Sequence, residues 1–218
     1  VIFENFYDGN GKSQTGFYTY LLDRDPIAHF LLEKRKKEKF TVIDVGAAAA
    51  PWSLPVVDAT VDYKLLPSSS LHFQLDLHEE RTWQPILEFV NEHGKFDFSL
   101  CCHTVEDLHY PPSAFRFLQT ISKQGFISVP SVHRELKHVG HYSKGYDHHF
   151  WMFRMNPENE LVMIPKMNHI EHNQYPISQD LKDEELQFLW KGEIITKHFW
   201  SYPHTQIAEL YQSDLVVS

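Results

Sequence analysis

The chain has 218 residues, 42% of them hydrophobic and 14% aromatic, enough apolar material for one sizeable core and too much for a disordered chain. Its net charge of −9, from 20 Lys and Arg against 29 Asp and Glu, argues against non-specific nucleic-acid binding, which needs clustered cations. No run approaches the ~18 apolar residues of a membrane-spanning helix, no signal peptide is visible, and a cytoplasmic location is expected.

Residues 1–25 are polar and aromatic with Gly9, Gly11 and Gly16 among them, and read as an irregular arm. Pro26 then opens a helix at a position where its missing N–H is tolerated. The basic run Lys34-Arg35-Lys36-Lys37 ends that helix, where cations meet the negative end of the backbone dipole. Phe40 to Val45 is a short, β-branched apolar run stopping at Gly46, the pattern of a strand buried on both faces of a parallel sheet. Ala59 to Tyr63 and Leu71 to Leu75 are two more candidate strands, carrying Asp62 and followed by Asp76.

Trp83, Ile86, Leu87 and Val90 recur at helical spacing. A strand at Phe96–Cys102, a helix from Pro112 to Lys123 and a strand at Gly125–Pro130 follow. This alternation predicts an α/β fold with a largely parallel sheet. Beyond Pro130, residues 131–147 read as a long polar loop. Apolar segments around Asn156-Pro157-Glu158-Asn159 and around Lys191-Gly192 predict two hairpins. One domain is expected: an arm and helix at 1–39, a core at 40–131, and lid and hairpin additions at 132–218.

The adjacent cysteines Cys101 and Cys102 are the only two, too few for a disulfide scaffold or a cysteine zinc knuckle. Gly9-Asn10-Gly11-Lys12-Ser13 lacks the earlier glycine of a phosphate-binding loop, and no hydrolase elbow occurs. The aromatic segments Phe150–Phe153 and His198–Tyr202 lack interleaved cations and read as packing of the added hairpins rather than base-stacking surfaces.

In a doubly wound sheet the ligand lies beyond the carboxyl ends of the strands. Those ends carry Asp44-Val45-Gly46-Ala47, Asp62, Asp76-Leu77, Cys102-His103-Thr104-Val105-Glu106, and Pro130-Ser131. Acidic residues after three successive strands suit a ribose diol and an adenine amine. Val42-Ile43-Asp44-Val45-Gly46, Phe73-Gln74-Leu75-Asp76-Leu77 and His103-Thr104-Val105-Glu106-Asp107-Leu108 resemble successive motifs of class I S-adenosylmethionine-dependent methyltransferases. Lys123 to Ser131 resembles the next segment in the methyltransferase type 11 group. The resemblance implies a Rossmann-like sheet, S-adenosylmethionine as cofactor and a small-molecule methyl acceptor. It also implies that Gly46 and Ala47 approach the methionine part, that Asp44 belongs to the cofactor-binding set, and that Asp62 holds the ribose. Asp76 and Leu77 would frame the adenine, with Cys102 and His103 on the floor of the pocket.

Two departures carry structural expectations. Where the family places glycines, Gly46 is followed by Ala47-Ala48-Ala49-Ala50-Pro51; alanine disfavours positive φ, so a different turn is expected. The link to Asp62 is short and proline-broken, so the helix after the first strand should be shortened or absent. His133, His138, His141, His148 and His149 fall close together with Glu135 and Asp147. Their spacing matches no compact metal motif, and no metal ligand is assigned; His133 and His148 are taken as candidate general bases. Two other readings use the same residues: a non-catalytic, methyltransferase-like binding protein, and a histidine-ligated metal-binding protein.

Overall fold

A computed structural model describes residues 2–48, 52–65, 71–139, 143–166 and 184–198. Its elements are α1 (Ile2–Tyr7), β1 (Gln14–Thr19), α2 (Asp25–Lys37), β2 (Val42–Val45), β3 (Ala59–Asp62) and β4 (His72–Gln74). There follow α3 (Gln84–His93), β5 (Phe98–Cys102), α4 (Pro111–Ile121), β6 (Gln124–Pro130) and α5 (Val132–Leu136). The last are β7 (His138–Val139), β8 (Ser143–Lys144), β9 (Trp151–Met155), β10 (Leu161–Pro165), β11 (Glu185–Lys191) and β12 (Thr196–His198). Single 3₁₀ turns at Glu80–Trp83 and Val105–Asp107 precede α3 and α4.

The expected Rossmann-like, mostly parallel sheet is present. It has seven strands in the order β4-β3-β2-β5-β6-β11-β1. The five from β4 to β6 are mutually parallel, and β11 is antiparallel to both β6 and β1. The β-branched run at β2 is buried throughout because it is covered on both faces. Ile43 and Val45 pack into the core beneath α3 and α4, and Val42 packs into the core beneath α1 and α2. The Tyr7 hydroxyl pins α1 to the sheet by donating to the Gly125 carbonyl at 2.5 Å.

Three sequence expectations are corrected. The arm is not irregular: it supplies α1 and the edge strand β1. The second hairpin does not form. All but the last residue of β11 are buried, which suits a strand inside the main sheet, and Lys191 and Glu193 share only an isolated bridge. β12 instead joins β10 in parallel, in a three-stranded sheet ordered β12-β10-β9. The 131–147 segment carries α5, started by Ser131, whose side chain accepts the Arg134 N–H, and the short β7–β8 pair. The first hairpin, β9 with β10, forms as expected. Trp151, Met152 and Phe153 are buried in it; the aromatics of 199–202 lie outside the described residues. No helix among the described residues is long and apolar enough to cross a membrane.

Candidate functional site

A cavity of about 460 Å³ opens at the carboxyl ends of β2, β3 and β5 and beside the loop after β4, a volume suited to a small molecule. Five of the residues singled out from the sequence line it: Gly46, Asp62, Asp76, Leu77 and His103. Apolar surface comes from Val61, Leu75, Leu77 and Leu108.

Asp62 ends β3 with its side chain almost fully buried. Its Oδ2 accepts the Ala48 N–H at 3.0 Å and its Oδ1 the Lys64 N–H at 2.9 Å. These bonds fix the carboxylate against the cavity and leave each oxygen with further acceptor capacity. Gly46 turns the chain out of β2 with φ of +77°, and a Cβ there would sit 2.1 Å from Thr104 Oγ1. The glycine is therefore required by the close approach of Thr104. Ala48 adopts φ of +57°, correcting the expectation that alanine would avoid the turn. The left-handed conformation costs an alanine about 1–2 kcal/mol, and the Asp62 hydrogen bond to its N–H holds it there. As expected of a shortened or absent helix, the described residues between Gly46 and Asp58 form only turns and bends.

Asp76 lines the cavity from the loop after the neighbouring strand β4, oriented by its neighbours. Its Oδ1 accepts the His78 N–H at 2.8 Å and lies 3.0 Å from His78 Nδ1, while His78 Nε2 accepts the His109 N–H. The Asp76 carbonyl accepts from Trp83 Nε1 at 3.1 Å, so the 3₁₀ turn before α3 sets this wall.

His103 has φ of +48° and stands between two carboxylates. Nε2 is 2.9 Å from Glu185 Oε2 and Nδ1 is 3.3 Å from Glu106 Oε1. Both carboxylates are fully buried. Their attraction outweighs the desolvation that opposes it and lifts the imidazole to about 9, so the ring is an imidazolium at neutral pH. Glu185 also accepts both terminal nitrogens of Arg24 and the Leu22 N–H. These bonds hold its carboxyl down at about 2 despite burial. Sequence reasoning missed Arg24 and Glu185. They sit 161 positions apart, and nothing in the local pattern marks either as a partner for His103.

The remaining candidates stand back from the cavity. Asp44 is buried beneath it, hydrogen-bonded by Ser53 Oγ, and burial raises its carboxyl to about 6. Ala47 is buried, its N–H donating to the Val61 carbonyl at 3.2 Å. Cys102 is not part of the lining; burial pushes its thiol up to about 12, so it is protonated and no nucleophile. His133, on α5, does not line the cavity either. His148 is exposed, with Nε2 3.9 Å from Oδ1 of the cavity-lining Asp107. His141 and the side chain of His138 lie outside the described residues.

No protein-family model matches the sequence, and no curated protein matches it. Among solved structures, the chain is similar to magnesium protoporphyrin IX methyltransferase of Synechocystis PCC 6803, determined with bound S-adenosylmethionine. The match covers 77% of each chain, at 10% identity and a TM-score of 0.39.

Proposed function

We propose that the cavity binds S-adenosylmethionine and that the protein transfers its methyl group to a small-molecule acceptor. One observation carries the reading: Asp62 and Asp76, at the ends of adjacent parallel strands, share a single cavity with the cationic His103. A ligand with a diol and an aromatic amine has an acceptor in each of the two carboxylates. Asp62 accepts the ribose hydroxyls, and Leu75 and Leu77 pack on the adenine with Asp76 at its amine. His103, its ring nitrogens turned to Glu185 and Glu106, lies at the floor beside the methionine part. The cofactor supplies an electrophilic methyl group on a sulfonium. The chain's part is to align the acceptor and exclude water. Of the two bases considered, His148 alone reaches the rim, through Asp107.

Calorimetric titration tests this. S-adenosylmethionine and S-adenosylhomocysteine should bind the wild type. Asp62→Asn, which keeps the shape and loses the charge, should weaken both by at least tenfold. No binding of either at millimolar concentration would sink the reading. The left-handed Ala48 and the turns and bends after β2 favour a second reading, a protein that binds the cofactor without transferring methyl. Binding without turnover across an acceptor panel would select it.

A further inference from the structure

Beyond the methyltransferase reading, three side chains converge at the rim of the cavity. Asp107 closes the 3₁₀ turn after β5, and His148 and His149 lie just before β9. His149 Nε2 is 3.5 Å and His148 Nε2 3.9 Å from Asp107 Oδ1, and the three atoms lie within 4.8 Å of one another. Donors at 2.0–2.1 Å from a tetrahedral ion stand about 3.3 Å apart, so small side-chain movements would close the set around one ion.

The surroundings favour a ligand site over a chance pairing. His149 is 5% exposed, and its Nδ1 lies 2.6 Å from Glu135 Oε1. The Glu135 carboxylate holds the ring proton on Nδ1 and leaves the lone pair on Nε2, the arrangement by which carboxylates orient metal-binding histidines. Glu135 is itself fixed by Lys166 Nζ at 2.8 Å. The backbone of Gly145 packs so closely on it that a Cβ would lie 2.3 Å from Oε2. Asp107 Oδ1, facing both imidazoles, is buried with no hydrogen-bond partner among the described residues.

We propose that Asp107, His148 and His149 bind a divalent first-row transition ion at the rim of the cavity. Two imidazoles and one carboxylate suit zinc, iron(II) or manganese(II). Three protein ligands leave coordination positions open. Because Asp107 lines the cavity, those positions can take an oxygen ligand held inside it, such as a hydroxyl or carboxylate of the acceptor. His148 is then a ligand rather than a base.

The test is cobalt(II) titration of the metal-stripped, untagged full chain, read by visible absorbance and calorimetry with zinc as competitor. One ion per chain is expected. His148→Ala, at a 67% exposed side chain that leaves the fold intact, and Asp107→Asn should each weaken binding at least tenfold, while His29→Ala on α2 should not. Failure of the wild type to bind cobalt or zinc would overturn the site. So would unchanged affinity in both His148→Ala and Asp107→Asn, which would place any bound ion on other histidines. The readout is the ion itself, so this outcome is independent of S-adenosylmethionine binding.

Discussion

The walls of the cavity are built in two opposite ways. The Asp62 wall is local: its carboxylate is held by backbone N–H groups 2 and 14 positions away, and the Asp76 wall by His78 and Trp83 nearby in the chain. The His103 wall is assembled from a distance, because Glu185 lies 82 positions from His103 and 161 from Arg24. The Asp62 and Asp76 walls follow from strand ends and tight turns, each carboxylate being held by donors nearby in the chain. The His103 wall joins the half-buried His103 to the buried Arg24, Glu185 and Glu106, and the buried members are tolerable because their neighbours are present. A pocket can therefore have one rim insensitive to remote substitution and another that depends on both ends of the chain.

Removing Glu185 should separate the walls most sharply. Glu185→Ala leaves the buried Arg24 without its carboxylate and takes one of two carboxylates from His103, which costs about 3–5 kcal/mol. That corresponds to a fall in Tm on the order of 10 °C, measurable by calorimetry or urea unfolding. A loss under about 1 kcal/mol would show that the charge chain contributes little to stability.

Next in size is a pH effect that belongs to the His103 wall alone. His103 is raised from 6.5 to about 9 in the folded protein. Its contribution is therefore complete below pH 6.5 and lost as pH climbs through 9. Glu185 is lowered from 4.5 to about 2, so its contribution is present above pH 4.5 and lost as pH falls toward 2. The wild type should lose stability between pH 6.5 and 9, and His103→Gln should flatten that slope. Tm measured across the range decides it, and an equal slope in the variant would remove His103 from the account.

The smallest effect lies in the local wall. Ala48→Gly should relieve the left-handed alanine and stabilise the protein by about 1 kcal/mol, seen as a small rise in the urea midpoint. No rise, or a loss, would mean that the turn is not strained.

Legibility in the sequence follows the same divide. Val42–Val45 reads as a buried strand because its residues are β-branched, apolar and stopped by Gly46. Asp62, Asp76 and His103 are legible because they stand where such strands end. β11 reads as half of a hairpin because Lys191-Gly192 signals a turn, and nothing local shows that Glu185 and Gln187 are buried. Their polar groups are used in the charge chain and in the Gln187 Nε2 bond to the Asp23 carbonyl. A buried polar residue with a distant partner looks the same in sequence as an exposed one. The arm hides its structure for a related reason: Gln14–Thr19 is only partly buried and becomes a strand through β11, which comes much later in the chain. The convergence of Asp107 with His148 and His149 was hidden as well, since no fixed spacing links a turn after β5 to the residues before β9.

The place of β1 in the sheet also bears on how the protein is made. Among the described residues β1 pairs with β11 alone, and Arg24, just after it, finds its countercharge on the first residue of that same strand. During translation the segment from Gln14 to Arg24 waits through some 160 residues of synthesis before its partner emerges. Meanwhile β2 to β6 can already associate, since domains fold as their units leave the ribosome. The nascent intermediate would expose the open edge of β6, a template for mispairing with another chain, and it is β11 that closes it.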